Sequence, residues 1–145
     1  MKDLLYLAKR CRELPHEIEQ AASDLASEVG RRIHADLLSV TPVDTSEALS
    51  NWMLTIDEPW SVPLPPHVPG MFGSTQSESI NAGLQQGEQQ LALKKPGDAI
   101  FITNNAPHIR LLNDGSSKQA PAGFVQRAVL FGRKTAETIG LKLRK

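Results

Sequence analysis

The side chains best suited to chemistry cluster near residue 110. The cluster consists of His108, Arg110, Asn113, Asp114 and Ser116. A histidine and a carboxylate in one short segment could move a proton during hydrolysis. Asp114-Gly115 followed by two serines is also ordinary turn composition, because aspartate caps and glycine supplies a positive φ. We interpret the cluster as a turn, and a small hydrolase using His108 and Asp114 is the lesser alternative.

The other reactive side chains do not form the pattern of a metal or nucleophile site. His16 and Glu19 have the spacing of two ligands on one helix, but no further ligand completes a set. Gly-rich phosphate loops and Gly-x-Ser-x-Gly elbows are absent from the sequence. The single cysteine, Cys11, excludes an intrachain disulfide, and its place on an apolar stripe predicts a small buried hydrophobe. We therefore predict a protein that is not an enzyme, with no metal, cofactor or small-molecule substrate.

Charge is balanced along the whole chain but not at its end. Sixteen basic and sixteen acidic residues cancel, so no global field directs the chain toward nucleic acid or membrane. No apolar run reaches the roughly 18 residues of a membrane span, and we predict no membrane partner. The last segment is basic, and it either solvates a helix end or faces DNA or an acidic partner. The residues we assign to such a face are Lys142, Arg144 and Lys145.

The first forty residues have helical periodicity. Apolar side chains recur in steps of three and four at Leu4, Leu7, Cys11, Leu14, Ile18, Ala22, Leu25, Val29, Ile33 and Leu37. Pro15 either begins a second helix or kinks a single long one. We favour a short helix near 2–13 followed by a long helix near 15–39.

The rest of the chain alternates strands and helices. Residues 51–57 alternate in polarity and 99–103 are nearly all apolar, which predicts two strands. Thr75 and Glu78 have the spacing of a capping box, which predicts the start of a helix between the two strands. Pro121 predicts the first turn of a final helix. We predict an α+β fold in one domain, 1–145: a long N-terminal helix, a small antiparallel sheet with an inserted helix, and a C-terminal helix.

Residues 58–73 combine dense prolines with apolar side chains. Five of the ten prolines lie here, which favours an extended path and excludes helix. Disordered linkers are ordinarily poor in such apolar side chains. We predict an extended loop, or arm, laid against a neighbouring subunit, the alternative being that it packs on its own domain. The predicted interface residues are Trp60, Val62, Leu64, Val68, Met71 and Phe72.

Two stretches, 41–52 and 97–125, resemble the tail-completion (neck) proteins of tailed bacteriophages. The first stretch resembles the family's motif of Pro-Val-Asp-Thr-Gly, then a leucine and then a tryptophan, which follows a long helix. The second stretch resembles the family's succession of a strand, a corner, a Gln-Ala-Pro turn and a final helix. Ser46 replaces the usual glycine, His108 stands where tyrosine is common, and Asn113-Asp114 replaces a glutamate-bearing pair. The motif residues are Val43, Asp44, Thr45, Trp52, Asn105, Pro107, Gly115, Gln119 and Pro121.

The resemblance implies a virion structural protein of the neck, similar to minor tail protein Z and active in head–tail joining. Such a subunit would form a ring with copies of itself at the head-proximal end of the tail and would contact neighbouring neck and tail proteins. It would reside in the virion, and in the host cytoplasm during assembly. Contact with packaged DNA is compatible with this role. A tail-terminator-like ring that caps tube growth is the second interpretation.

Overall fold

A computed structural model describes residues 4–142 of the chain. The elements are α1 (Leu4–Val40), α2 (Glu47–Ser50), β1 (Trp52–Ile56), α3 (Gln76–Leu93), β2 (Ile100–Asn104), α4 (Ile109–Asn113) and α5 (Phe124–Ile139). The predicted α+β class, with a long N-terminal helix, a helix inserted between two antiparallel strands and a C-terminal helix, is confirmed. Within the described residues, no helix is both long enough and apolar enough to cross a bilayer.

Helix α1 continues through Pro15 without a break, so the favoured division into two helices is wrong. A proline inside a helix removes one backbone hydrogen bond and leaves the carbonyl four residues earlier without its partner. Pro15 and Cys11, the residue that carries that carbonyl, are both exposed. Water can therefore solvate the carbonyl, and the interruption costs less than it would in a buried helix.

The sheet is small and its β1 edge is covered by a side chain. The two antiparallel strands pair from Trp52 with Asn104 to Ile56 with Ile100. On the other side of β1, the Gln86 amide of α3 accepts from the Leu54 N–H at 3.2 Å and donates to the Leu54 carbonyl at 2.7 Å. A side-chain amide thus makes the two hydrogen bonds that a third strand would supply.

The core lies where α1, β1, α5 and the segment after α1 meet. It is mainly aliphatic, as the scarcity of aromatic residues predicts. Its buried members are Leu37, Leu38, Val43, Leu49, Trp52, Ala120, Phe124 and Ala128.

Two glycines allow α3 to approach α1 closely. A Cβ at Gly83 would lie 2.7 Å from Leu38 Cδ2, and one at Gly87 would lie 2.6 Å from His34 Nδ1. Gly83 and Gly87 are one helical turn apart, as are His34 and Leu38, so two turns of each helix match. The glycines weaken the intrinsic helix preference of α3, but they remove the side chains that would separate the helices.

Helix α5 packs antiparallel on the C-terminal half of α1. Gly132 of α5 lies against Ile33 and Val29. Further along, Ala136 and Leu141 share a groove with Ala22 and Leu25. The sixteen residues of α5 are too few to cover the thirty-seven of α1. The N-terminal part of α1 therefore extends beyond the body of the domain.

We expect the protein to lose stability on acidification because of His34. This side chain is 2% exposed, and its Nε2 lies 3.3 Å from the Trp52 carbonyl. Burial lowers the pKa of His34 from its ordinary value near 6.5, while the Trp52 carbonyl and Glu88 oppose that shift. The unfolded chain then binds a proton more readily than the folded one. Stability is complete above about pH 6.5 and falls below it, by up to about 1.4 kcal/mol per pH unit.

Urea unfolding between pH 7.5 and 5 measures this effect, and His34→Gln should remove most of the slope. His67→Gln is the comparison: burial also lowers the pKa of His67, but this side chain is largely exposed, so its removal should change the slope less. Equal slopes in the wild type and in His34→Gln would contradict the assignment.

Candidate assembly surfaces

The two motif stretches meet at one corner of the molecule. The Gln119 side chain accepts a hydrogen bond from the Val43 N–H at 2.9 Å and donates one to the Val43 carbonyl at 3.1 Å. Val43 belongs to the buried core. One amide therefore joins segments that are 76 positions apart and satisfies both backbone groups of a buried residue.

Asp44 holds the end of the proline-rich loop. Its Oδ1 accepts from the Phe72 N–H at 2.9 Å, and its carbonyl accepts from the Gly73 N–H at 2.9 Å. Ser46 follows in left-handed backbone, with φ 66°, and its Oγ lies 3.1 Å from Thr75 Oγ1. Glycine is the residue that adopts this conformation most readily. Ser46, which stands where the resembled motif has glycine, therefore has a backbone conformation that favours glycine.

The other motif residues also make structural contacts. Trp52 is 4% exposed, and its Nε1 donates to Thr41 Oγ1 at 2.7 Å. Asn105 Nδ2 donates to the Trp60 carbonyl at 2.9 Å. Gly115 has φ 95°, so the turn after α4 requires a residue that tolerates left-handed backbone. Thr45, Pro107 and Pro121 are exposed, as are Asp44, Gly115 and Gln119.

No family model, curated protein or solved structure matches the chain.

The proline-rich loop is tied to its own domain through its backbone. Asn51 Oδ1 accepts from the Leu64 N–H and Asn51 Nδ2 donates to the Leu64 carbonyl, both at 2.8 Å. Ser50 Oγ accepts from the His67 N–H at 2.9 Å, and Thr75 Oγ1 donates to the Val68 carbonyl at 2.7 Å. These hydrogen bonds make the loop a fixed part of the surface.

The apolar side chains of the loop differ in burial. Leu64 and Val68 are half-buried, and the other four are exposed: Trp60, Val62, Met71 and Phe72. Phe72 is 88% exposed and has a left-handed backbone with φ 55°. Such backbone costs a residue with a Cβ about 1–2 kcal/mol. An aromatic side chain held outward at this cost is suited to contact with another molecule, and the predicted interface role of the loop stays a prediction.

His108 and Asp114 are not brought together. His108 lines a depression of about 350 Å³ beside Asp44 and Glu47. Asp114 lines a different one, beside Trp52 and Arg110. Within residues 4–142, no group of three or more His, Cys, Asp or Glu side chains could hold a metal ion. This separation gives the hydrolase alternative no shared pocket for its acid and base.

The basic C-terminus is described only in part. Lys142 is exposed, as are Arg127, Arg133 and Lys134 on α5. Arg144 and Lys145 lie outside the described residues. The assignment of this end to DNA or to an acidic partner stays a prediction.

Cys11 is exposed, so its interpretation as a buried hydrophobe is wrong for the isolated chain. The body begins to bury α1 only at Ala21, which is the first buried residue of the helix. Before it, Leu4 is 83% and Leu7 59% exposed, and Leu14 and Ile18 are exposed as well. We define this overhanging stripe as Leu4, Leu7, Cys11, Leu14 and Ile18. Sequence periodicity identified the stripe but did not show that the domain leaves it uncovered. The short length of α5 relative to α1 was a signal of this.

Proposed function

We propose that the chain is a structural subunit of the neck of a tailed phage, a tail-completion protein that acts as part of a ring in head–tail joining. The observation that carries the proposal is the Gln119–Val43 pair of hydrogen bonds, because it joins the two stretches that resemble the family. The left-handed backbone at Ser46 gives the family's glycine a physical reason at this position.

The chemistry of the corner favours a structural role. Asp44, Gln119 and Asn105 all use their polar side chains to hold backbone groups of the same chain. Asp44 and Gln119 line the depression beside His108, but Asp44 Oδ1 and the Gln119 amide are already bonded to backbone groups of the same chain. The exposed apolar residues of the loop and of α1 are surfaces that assembly would cover. A subunit whose exposed apolar surfaces are buried by neighbouring subunits would have both features, the structural polar side chains and the uncovered apolar residues.

Removing the gene from the phage that encodes the chain tests the proposed role. We expect lysates with filled heads and with tails of normal length that remain separate in electron micrographs. The purified protein should restore joining when it is mixed with such tails. Tubes of uncontrolled length would indicate a tail terminator. Normal infectious particles without the protein would overturn the neck role.

The variant Phe72→Gly should separate assembly from folding. Glycine relieves the left-handed strain at this position but adds freedom to the unfolded chain, so the unfolding free energy should stay equal or rise by up to about 1 kcal/mol. Joining activity in complemented lysates should fall, because an exposed aromatic side chain is lost from the surface. Leu130→Ser on α5 is the matched control, since Leu130 is 56% exposed. Joining at the wild-type level in Phe72→Gly would remove this residue from the interface.

A further inference from the structure

The overhanging stripe of α1 has a strict heptad arrangement. Its five residues follow one another in alternating steps of three and four, so Leu4, Cys11 and Ile18 take one seam position and Leu7 and Leu14 the other. Toward the C-terminus the stripe leads into the groove where Ala22 and Leu25 lie near Ala136 and Leu141, and then to Val29 and Ile33, against which Gly132 of α5 packs. The uncovered part thus has the geometry of a helix that packs along another helix.

The residues that flank the seam favour a second copy in the opposite direction. Arg10 and Glu17 occupy the same flank one heptad apart and pair within the chain at 2.6 Å. Reversing a second helix against the first places Glu17 of that copy beside Arg10, and Arg10 of that copy beside Glu17. The other flank carries Ala8, Pro15 and Ala22, so a parallel pair gains no such contacts. Charge complementarity therefore selects the antiparallel direction.

We propose that the free protein is a dimer in which the overhanging stripes of two copies form an antiparallel helical pair. Leu7 of each copy lies opposite Ile18 of the other, and Cys11 opposite Leu14. The small flank residues Ala8 and Pro15 face each other and let the helices approach closely. The first turn of α1 in each copy lies beside Ala21 of the other copy, at the point where the body of that other copy begins.

A short seam is sufficient for dimerisation because the helix that carries it is already formed in the monomer. An isolated helix of this length would be marginal, because nucleation is costly. Here the overhang is about 25 Å of helix continuing from one that the domain already holds. Its burial need only offset the cost of association. The seam lies at the small end of protein interfaces, and we expect a dissociation constant on the order of micromolar. The dimer does not depend on the proposed neck role.

Sedimentation of the full chain over roughly 0.1–100 µM should show a reversible dimer, since this range brackets a micromolar constant. The double variant Leu7→Glu/Leu14→Glu should raise the dissociation constant by at least about 100-fold, because it places charges in the seam. Its helix content and unfolding transition at low concentration should match those of the wild type. Lys9→Glu/Glu19→Lys, which alters residues outside the seam, is the control and should dimerise normally. A wild-type protein that stays monomeric over this range overturns the proposal.

Cross-linking determines the direction of the pair. In a Cys11→Ala background, Leu7→Cys and Ile18→Cys proteins should each fail to form disulfide dimers when oxidised alone. The mixture of the two should form them readily, because positions 7 and 18 meet only in the antiparallel arrangement. Disulfide dimers of each variant alone, without enrichment in the mixture, would show a parallel pair and overturn the proposed geometry.

Discussion

Replacing Trp52 with alanine is expected to lower the unfolding free energy by about 3–5 kcal/mol. The side chain lies in the core cluster with Leu37, Leu49 and Phe124. Its removal leaves a cavity that rigid neighbours on α1 and α5 cannot fill. A domain of this size has a total stability on the order of 10 kcal/mol, so the variant would lose a large fraction of it.

The variant Trp52→Phe separates packing from hydrogen bonding. It keeps most of the ring volume but removes the Nε1 donor to Thr41 Oγ1. Thr41 keeps its own bond to the Leu37 carbonyl at 2.6 Å, so the expected cost is about 1–3 kcal/mol. Urea unfolding followed by circular dichroism measures both variants. Trp60→Ala, at the surface of the loop, is the matched control and should cost less than about 1 kcal/mol. A similarly small loss for Trp52→Ala would show that the core is not organised around this residue.

Replacing Asn51 with alanine is expected to cost about 2–4 kcal/mol and to release the proline-rich loop. The buried amide bonds both backbone groups of Leu64, and its Nδ2 also donates to the Glu47 carbonyl at 2.9 Å. Alanine leaves both backbone groups of Leu64 without partners, while the Glu47 carbonyl still accepts from the backbone N–H of residue 51 at 3.2 Å. The loop backbone between 58 and 73 should then become a site of limited proteolysis while the rest of the fold persists.

Asn51→Asp gives a sharper form of the same experiment. The new carboxylate can still accept from the Leu64 N–H but faces the carbonyls of Leu64 and Glu47 without a proton to donate. Its pKa should be raised in the folded state, so the variant should be weakest at neutral pH and recover as the pH falls. Asn105→Ala, which removes a single exposed bond to Trp60, is the control. Resistance of the loop to proteolysis in Asn51→Ala would show that other contacts hold it.

Local patterns predicted the elements well where the signal was periodic. The alternation before Pro59 indicated β1, the capping-box spacing at Thr75 and Glu78 indicated α3, and Pro121 indicated the start of the last helix, α5. Pro15 was misjudged because the cost of a proline depends on whether water reaches the freed carbonyl. That exposure is a property of the folded molecule.

Contacts between distant segments were beyond local patterns. Gln119 and Val43 both stood in recognisable motifs, but spacing does not show that one side chain would hold the backbone of the other. Cys11 illustrates the same limit. Periodicity places it on an apolar face, whereas its burial depends on where α5 ends and on whether another chain covers the overhang.

The contact between Gln86 and β1 has a consequence for solubility. A short ladder normally offers unpaired amide and carbonyl groups along its margin, and extended segments of other chains can add there in an uncontrolled stack. The Gln86 amide already pairs both backbone groups of Leu54, the central residue of that margin. The helix therefore protects β1 from cross-β aggregation while the apolar faces of the molecule remain available for ordered contacts.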